Sequence, residues 1–191
     1  MDKVWERLDA QLAAHQAADE KEARDVRFVR DFLAAHPEDA HLRAQLAGHL
    51  TGSAFVLDHG RTKLLLLHHA RLNRWLQPGG HGEGEVDPRQ IALREVEEET
   101  GLLPSDLEAF PNESILDVDV HRIPGRMHEP EHLHLDVRYG FIAREGAHAR
   151  VSQESHALKW VPLQALEPQT PGADDSVRRA AAKLRAAVAR L

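Results

Sequence analysis

Four glutamates stand within five positions, Glu95, Glu97, Glu98 and Glu99, in the stretch "REVEEETGL" of residues 94–102. Glutamates three or four apart on a helix are neighbours and repel by roughly 0.2–0.5 kcal/mol per pair. Such a run is either a solvated acidic surface or a carboxylate cluster whose repulsion a cation relieves. Clustered carboxylate oxygens suit a hard divalent ion, Mg²⁺ or Mn²⁺. Just upstream lies "PGGHGEGE", residues 78–85, whose glycines permit sharp turns and an exposed backbone. A loop of that kind entering a helix N-terminus offers amides to phosphate oxygens and a carbonyl to a metal.

The helix that must position the acids is bounded by local signals. Asp87 is a good N-cap, Pro88 suits the first helical position, and Gln90 falls at the capping-box position. Gly101 is a strong stop, so the spacing predicts a helix over 88–100. On it Glu95, Glu98 and Glu99 share an arc of roughly 100°, while Glu97 points away. Ala92, Leu93 and Val96 form an adjoining apolar stripe that should face a sheet. The three acids therefore converge beside a buried edge.

Around this helix the chain reads as a mixed α/β domain. The first 47 residues read as helical, with Val4, Leu8 and Leu12 in one segment and Val26, Val29 and Leu33 in a second that His36-Pro37 should end. A third short segment carries Leu42 and Leu46. From Thr51 the texture changes: "SAFVLDHGRTKLLLLHH" predicts two strands joined at Asp58-His59-Gly60, and "RWLQPGGHGEGE" a glycine-rich loop. Further strands are expected in "ILDVDVHRI", "HLHLDVRYGFIA" and "ALKWVPL", and a closing helix in "DDSVRRAAAKLRAAVARL", with Asp174 or Asp175 at its start. The organisation expected is a helical extension over 1–50, packed on the main domain or mediating a homodimer, with the main domain over 51–191.

Composition narrows the function classes. The 191 residues are 42% hydrophobic and 29% charged, with net charge −7, no cysteine and 14 histidines. The acidic balance argues against broad nucleic-acid binding, which needs a basic footprint. Without cysteine there is neither a disulfide framework nor a thiolate metal site. No apolar run reaches the roughly 20 residues that span a bilayer, and the charged N-terminus does not read as a secretory leader. A cytoplasmic location is the default expectation.

The acidic helix and its loop resemble the signature of the Nudix hydrolase family, G-x5-E-x7-R-E-U-x-E-E-x-G-U, where U is a bulky aliphatic. Gly80 supplies the first glycine, and residues 94–102 fit the second half at every defined place. One position departs: the first glutamate is replaced by Val86, flanked by Glu85 and Asp87. Since Asp87 caps the helix, Glu85 is the better substitute. Outside the signature, "RWLQPGGH", "DVDVHRIP" and "EPEHLHLDVRY" are similar to a bacterial subgroup with a helical N-terminal extension. The resemblance implies an α/β/α sandwich on a mixed sheet and metal-dependent hydrolysis of a nucleoside diphosphate linked to another moiety.

By the same resemblance Glu95, Glu98 and Glu99 would be metal ligands. Glu95, or a metal-held hydroxide relay, would deprotonate the water, and Arg94 would orient Glu95. A backbone oxygen near Pro78 or Gly79 would complete the coordination sphere. Glu154, in the loop before a strand, would be an extra metal ligand or base. His81 is near enough in sequence to meet phosphate, Trp75 could stack on a base, and Arg71 or Arg74 could meet phosphates; structural roles compete for each. His132 and His134 alternate with leucines, so both imidazoles face one side of a strand, with His128 nearby. A cupin-like metal site would want a glutamate where Arg138 and Tyr139 stand, so these histidines read as structural or pocket-lining. Two other functions remain: a catalytically silent Nudix domain that binds a nucleotide as a regulator, and a histidine-based metalloprotein.

Overall fold

Two amphipathic helices, α1 (Lys3–Ala14) and α2 (Glu20–Ala35), precede a mixed sheet in the computed structural model, which describes residues 3–69, 74–125, 130–151, 155–166 and 175–191. Trp5, Leu8 and Leu12 recur every three or four residues along α1 and are buried. Helix α2 begins at Asp19, whose carboxylate accepts the Glu22 amide at 2.8 Å, and ends at His36 before proline. The expected third helix is absent. Residues 37–47 run as turns in which Leu42 and Leu46 stay exposed, so their four-residue spacing serves no buried face.

Next come β1 (Gly48–Leu57), β2 (Lys63–His69), β3 (Arg74–Leu76), β4 (Gly79–His81) and helix α3 (Pro88–Thr100). Strands β5 (Leu107–Ala109), β6 (Asp117–Ile123), β7 (His132–Ala143) and β8 (Ser155–Pro162) follow, and α4 (Asp175–Val188) closes the chain. The stretch "RWLQPGGHGEGE" is thus not all loop, since β3 and β4 lie within it. Glycine hid β4 from view: with no apolar alternation, only pairing with β1 makes it a strand.

The spine of the sheet is the parallel pair β1–β7, in register from Gly48↔Leu133 to Leu57↔Ile142. Each outer edge of the pair is shared. Strand β1 meets β4 at Thr51–Ser53 and β2 at Leu57, while β7 meets β6 along its first half and β5 near its end. One face carries Leu50, Ala54, Val56, Leu135, Val137 and Phe141, packed with α1, α2 and the Ala92–Leu93–Val96 stripe of α3. Phe55, Leu57, Leu64, Leu66 and Ile142 point the other way and pack with Val177, Ala180, Ala181 and Leu184 of α4. Helices on both faces of a mixed sheet make the expected α/β/α sandwich. Among the described residues no helix is long and apolar enough to cross a membrane.

The close approach of α3 to the sheet depends on Gly52. A Cβ there would lie 2.2 Å from the Pro88 carbonyl oxygen and 2.9 Å from Ile91 Cβ. Charges fasten α2 and α4 to β6. Arg179 of α4 donates twice to Asp117 at 2.8 Å, and Lys21 of α2 donates to Asp119 at 2.6 Å. Fully buried Glu22 accepts from Lys183, from the Ala18 amide at 2.6 Å and from the Val118 amide at 3.2 Å. Arg138, also buried, is held among Asp136, Asp117 and Asp119. Buried charges persist only when paired this thoroughly.

Burial alone would raise the Glu22 pKa, but its bonds to His15, Lys183 and the Ala18 amide outweigh that and hold it below the ordinary value of 4.5. The unfolded chain therefore binds more protons in that window. The stability that Glu22 contributes is full above the ordinary value and is lost as pH falls towards the folded one. Glu22→Gln is expected to cost about 3 kcal/mol near neutral pH by removing one of the two buried anions, Glu22 and Asp117, that hold Lys183. Urea denaturation from neutral to acid pH should show this loss, and a shallower acid decline than the parent's.

Candidate active site

Helix α3 is built as its sequence signals. The Asp87 carboxylate accepts the Arg89 amide at 3.0 Å, Pro88 is the first helical residue, and Gly101 ends the helix in the left-handed region at φ 69°. The capping box differs from expectation. The Asp87 amide donates to Glu85 at 2.8 Å, and Glu85 Oε1 also takes the Val86 amide at 2.7 Å. Glu85, the expected stand-in for the first signature acid, thus folds back on the turn before the helix. Val86, at the signature position, packs against the apolar cluster.

Arg94 ties helix to loop. Its guanidinium donates to the carbonyls of Gly82, at 2.8 Å, and His81, and to Glu95 Oε1 at 2.7 Å. It also lies 3.5 Å from Glu98 Oε1. Gly80 makes room for the result, since a Cβ there would sit 2.6 Å from the Glu95 carboxyl carbon. The Glu99 carboxylate accepts the Gly79 amide at 3.0 Å. The Pro78 carbonyl accepts the Ala54 amide at 2.9 Å. Loop and helix thus hold each other, and Glu95, Glu98 and Glu99 edge the seam as the helical spacing implies. Glu97 is exposed.

The electrostatics are unbalanced towards the negative. Burial raises the Glu95 pKa; Arg94 opposes this, and the charges of Glu98 and Glu83 add to the rise. Glu83 is an acid that the signature does not anticipate. It sits between two glycines at φ 50° and acts on both Glu95 and Arg94. The only hint in sequence is its place in "GEGE". Glu98, with 57% of its side chain exposed, is open to a ligand, whereas Glu95 is only 14% exposed. Facing acids with one shared cation fit a divalent metal in their donor chemistry.

Other candidates lie elsewhere. Trp75 packs partly against the cluster under α4, with the Lys159 ammonium 4.1 Å from its ring centre and His68 beside it. Arg74 is exposed at the start of β3. Glu154, Arg71 and His128 fall outside the described residues. His81 follows Gly80 on β4 and so turns to the opposite face, away from the acids. There its Nε2 lies 3.1 Å from His134 Nε2. His49, His121 and His132 crowd the same place, with His49 stacked on His132 at 4.9 Å between ring centres. Burial, then neighbouring imidazoles, lower His49 to about 4 and His134 to about 2.

Arg94→Lys keeps the charge but cannot hold two carbonyls and a carboxylate at once. Amide hydrogen exchange over residues 79–85 is expected to quicken by about tenfold, a local opening of roughly 1.4 kcal/mol, with the strands of the sheet unchanged.

Comparison with known proteins agrees with this architecture. The NUDIX domain family matches residues 49–181. A Lactococcus lactis protein named "Probable DHNTP pyrophosphohydrolase" is 30% identical over 98 residues, which are 51% of this chain and 57% of that relative. The chain thus spans little more than half the length of that curated relative. A crystal structure of a C. elegans Ap4A hydrolase binary complex superposes with TM-score 0.59 at 16% identity, covering 74% of this chain and 98% of that one. The NUDIX domain of Shewanella oneidensis NrtR complexed with ADP ribose superposes with TM-score 0.51 at 23% identity, covering 80% and 97%. At those identities the two structures speak for the fold alone. The family match covers more than half of the chain, and the signature helix and its loop lie within it: the chain belongs to the NUDIX family.

Proposed function

We propose that the chain hydrolyses the pyrophosphate linkage of a nucleoside diphosphate joined to another moiety, using Mg²⁺ or Mn²⁺ held by Glu95, Glu98 and Glu99. The observation that carries this reading is the Arg94-clamped Glu95, beside two further helix carboxylates at an open seam with a glycine loop. The Gly79 carbonyl is proposed to complete the donor set, and Glu83 joins Glu85 as a further acid of the loop. A divalent ion bound there would screen the phosphates and stabilise the departing one. Ap4A and ADP ribose, named for two of the structural neighbours, both contain a phosphoric anhydride attached to adenosine, which supports this class of substrate.

The protein's own groups divide the work. Arg94 orients Glu95, and burial raises that carboxylate's proton affinity, which suits it to take a proton from the attacking water. The water oxygen bonds to phosphorus as the bridging P–O bond breaks, and the bridging oxygen leaves with the second phosphate. Glu98 and Glu99 supply oxygen donors.

Metal-dependent turnover of a panel containing nucleoside triphosphates, dinucleoside polyphosphates, ADP-ribose and NAD tests the reading. Glu98→Gln and Glu99→Gln should each lower kcat at least about a hundredfold, because losing a ligand exceeds the 10–100-fold typical of an outer-shell partner. Gly80→Ala should do likewise with little change in Tm, since the new methyl displaces only the end of Glu95. Full activity in both glutamine variants would refute the metal site. Tight nucleotide binding without turnover anywhere in the panel would instead favour the silent, regulatory domain.

A further inference from the structure

Behind the carboxylate seam, on the opposite face of the sheet, the strands assemble imidazoles from four separate segments. The register sets His49 of β1 directly beside His134 of β7, and His134 beside His121 of β6. His132 precedes His134 by two residues and so shares its face. His81 comes from β4, whose pairing with Thr51 of β1 brings it to the same corner. Ring centres of His81, His49 and His132 all lie within 5.2 Å of that of His134.

The polar atoms of this cluster are poorly satisfied. His49 is 1% exposed, and neither of its ring nitrogens has a hydrogen-bond partner. The Gln45 carbonyl lies near the ring but outside hydrogen-bond geometry. His132 is 6% exposed; its Nδ1 lies 2.9 Å from the Pro130 carbonyl, while its Nε2 is buried without a partner. A carbonyl accepts only, so Nδ1 carries the proton and the Nε2 lone pair is directed into the cluster. That is the arrangement of a metal-ligating histidine, whose second nitrogen is fixed by a backbone carbonyl or carboxylate. His121 has a similar tie, with Nδ1 3.1 Å from Asp119 Oδ2. Leaving both ring nitrogens of His49 and Nε2 of His132 buried without partners costs desolvation free energy with no compensating bond.

We propose that His49, His132 and His134 form a second metal site, which takes a borderline divalent transition ion of the Zn²⁺ class, with His81 placed as a fourth ligand. Their candidate ligand atoms all lie within 4.8 Å of one another. A tetrahedral zinc with bonds of about 2.0–2.1 Å sets neighbouring nitrogens about 3.4 Å apart, so the rings draw inward by about 1 Å through small side-chain rotations. The His81–His134 nitrogen pair, at 3.1 Å, is already near that spacing. Donor chemistry separates the two sites: imidazoles suit zinc, copper, nickel or iron, and clustered carboxylates suit magnesium or manganese. The α3 carboxylates and the imidazoles behind them therefore suit two kinds of ion.

The test uses the full chain without an affinity tag, stripped by a chelator and dialysed against Zn²⁺. A Glu98→Gln/Glu99→Gln background keeps zinc from the carboxylate seam, and the readout needs no hydrolysis. One equivalent of zinc per chain by elemental analysis is expected in that background. Co²⁺ in its place should give the intense ligand-field bands of a four-coordinate nitrogen site. Adding His134→Gln or His132→Gln, each similar in size and still polar, should weaken zinc binding at least tenfold. Absence of stoichiometric zinc in the background, weak octahedral cobalt bands, or affinity unaltered by both glutamine substitutions would overturn the proposal. Because the cobalt spectrum is read on folded protein with every histidine in place, it decides the matter even if a histidine variant misfolds. Failure here leaves the carboxylate site standing, and loss of hydrolysis in the glutamine background leaves this site standing.

Discussion

The Arg94 guanidinium joins two pieces of backbone that otherwise meet through the Gly79 amide on the Glu99 carboxylate. One is a glycine-rich loop with little side-chain packing of its own; the other is a helix whose C-terminal half is crowded with acids. By donating to two loop carbonyls and to Glu95, Arg94 makes the position of the carboxylate a property of the loop. It also partly offsets the repulsion that would otherwise disfavour this helix. The offset is incomplete, since Glu83, Glu95 and Glu98 all act on the one guanidinium. That residual negative field is what a divalent ion would answer.

The sheet provides the second constraint. Side chains alternate across it, so neighbouring residues on one short strand serve different chemistry. Gly80 opens space for Glu95 on the α3 face, while Gly79 and His81 look towards Ser53 and His134 on the other. On that second face the polar row continues: Ser53 and Thr51 donate to Asp136, which pairs with Arg138. Beyond it the aspartates of β6 receive α2 and α4. Helix α1 is tied to the candidate site as well, for its Arg7 pairs with Asp87, the cap of α3.

Legibility in the sequence followed the range of the interactions. Helix α3 could be read from end to end because its cap, its proline and its stopping glycine are local features. Strand β7 announced itself by alternation, and its bounds match the stretch "HLHLDVRYGFIA". Leu42 and Leu46 misled, because a spacing of four residues says nothing about whether a core lies opposite. Gln90 sat at the capping-box position, yet Glu85 took the Asp87 amide, being already turned back by the loop. Glu83 went unnoticed since its effect depends on a backbone turn between glycines. The histidine cluster was visible only as the pair His132 and His134. His49, His81 and His121 join it through strand register, which no short window of sequence contains.

The central claim is that the acids of α3 converge on a divalent cation. Crystals grown with Mn²⁺ and a non-hydrolysable nucleoside diphosphate derivative would test it through the anomalous signal of manganese. The account predicts density bonded to oxygens of Glu95, Glu98 and Glu99 at about 2 Å, in contact with the bridged phosphates. Ligand bound with the three carboxylates apart, and no manganese between them, would contradict it.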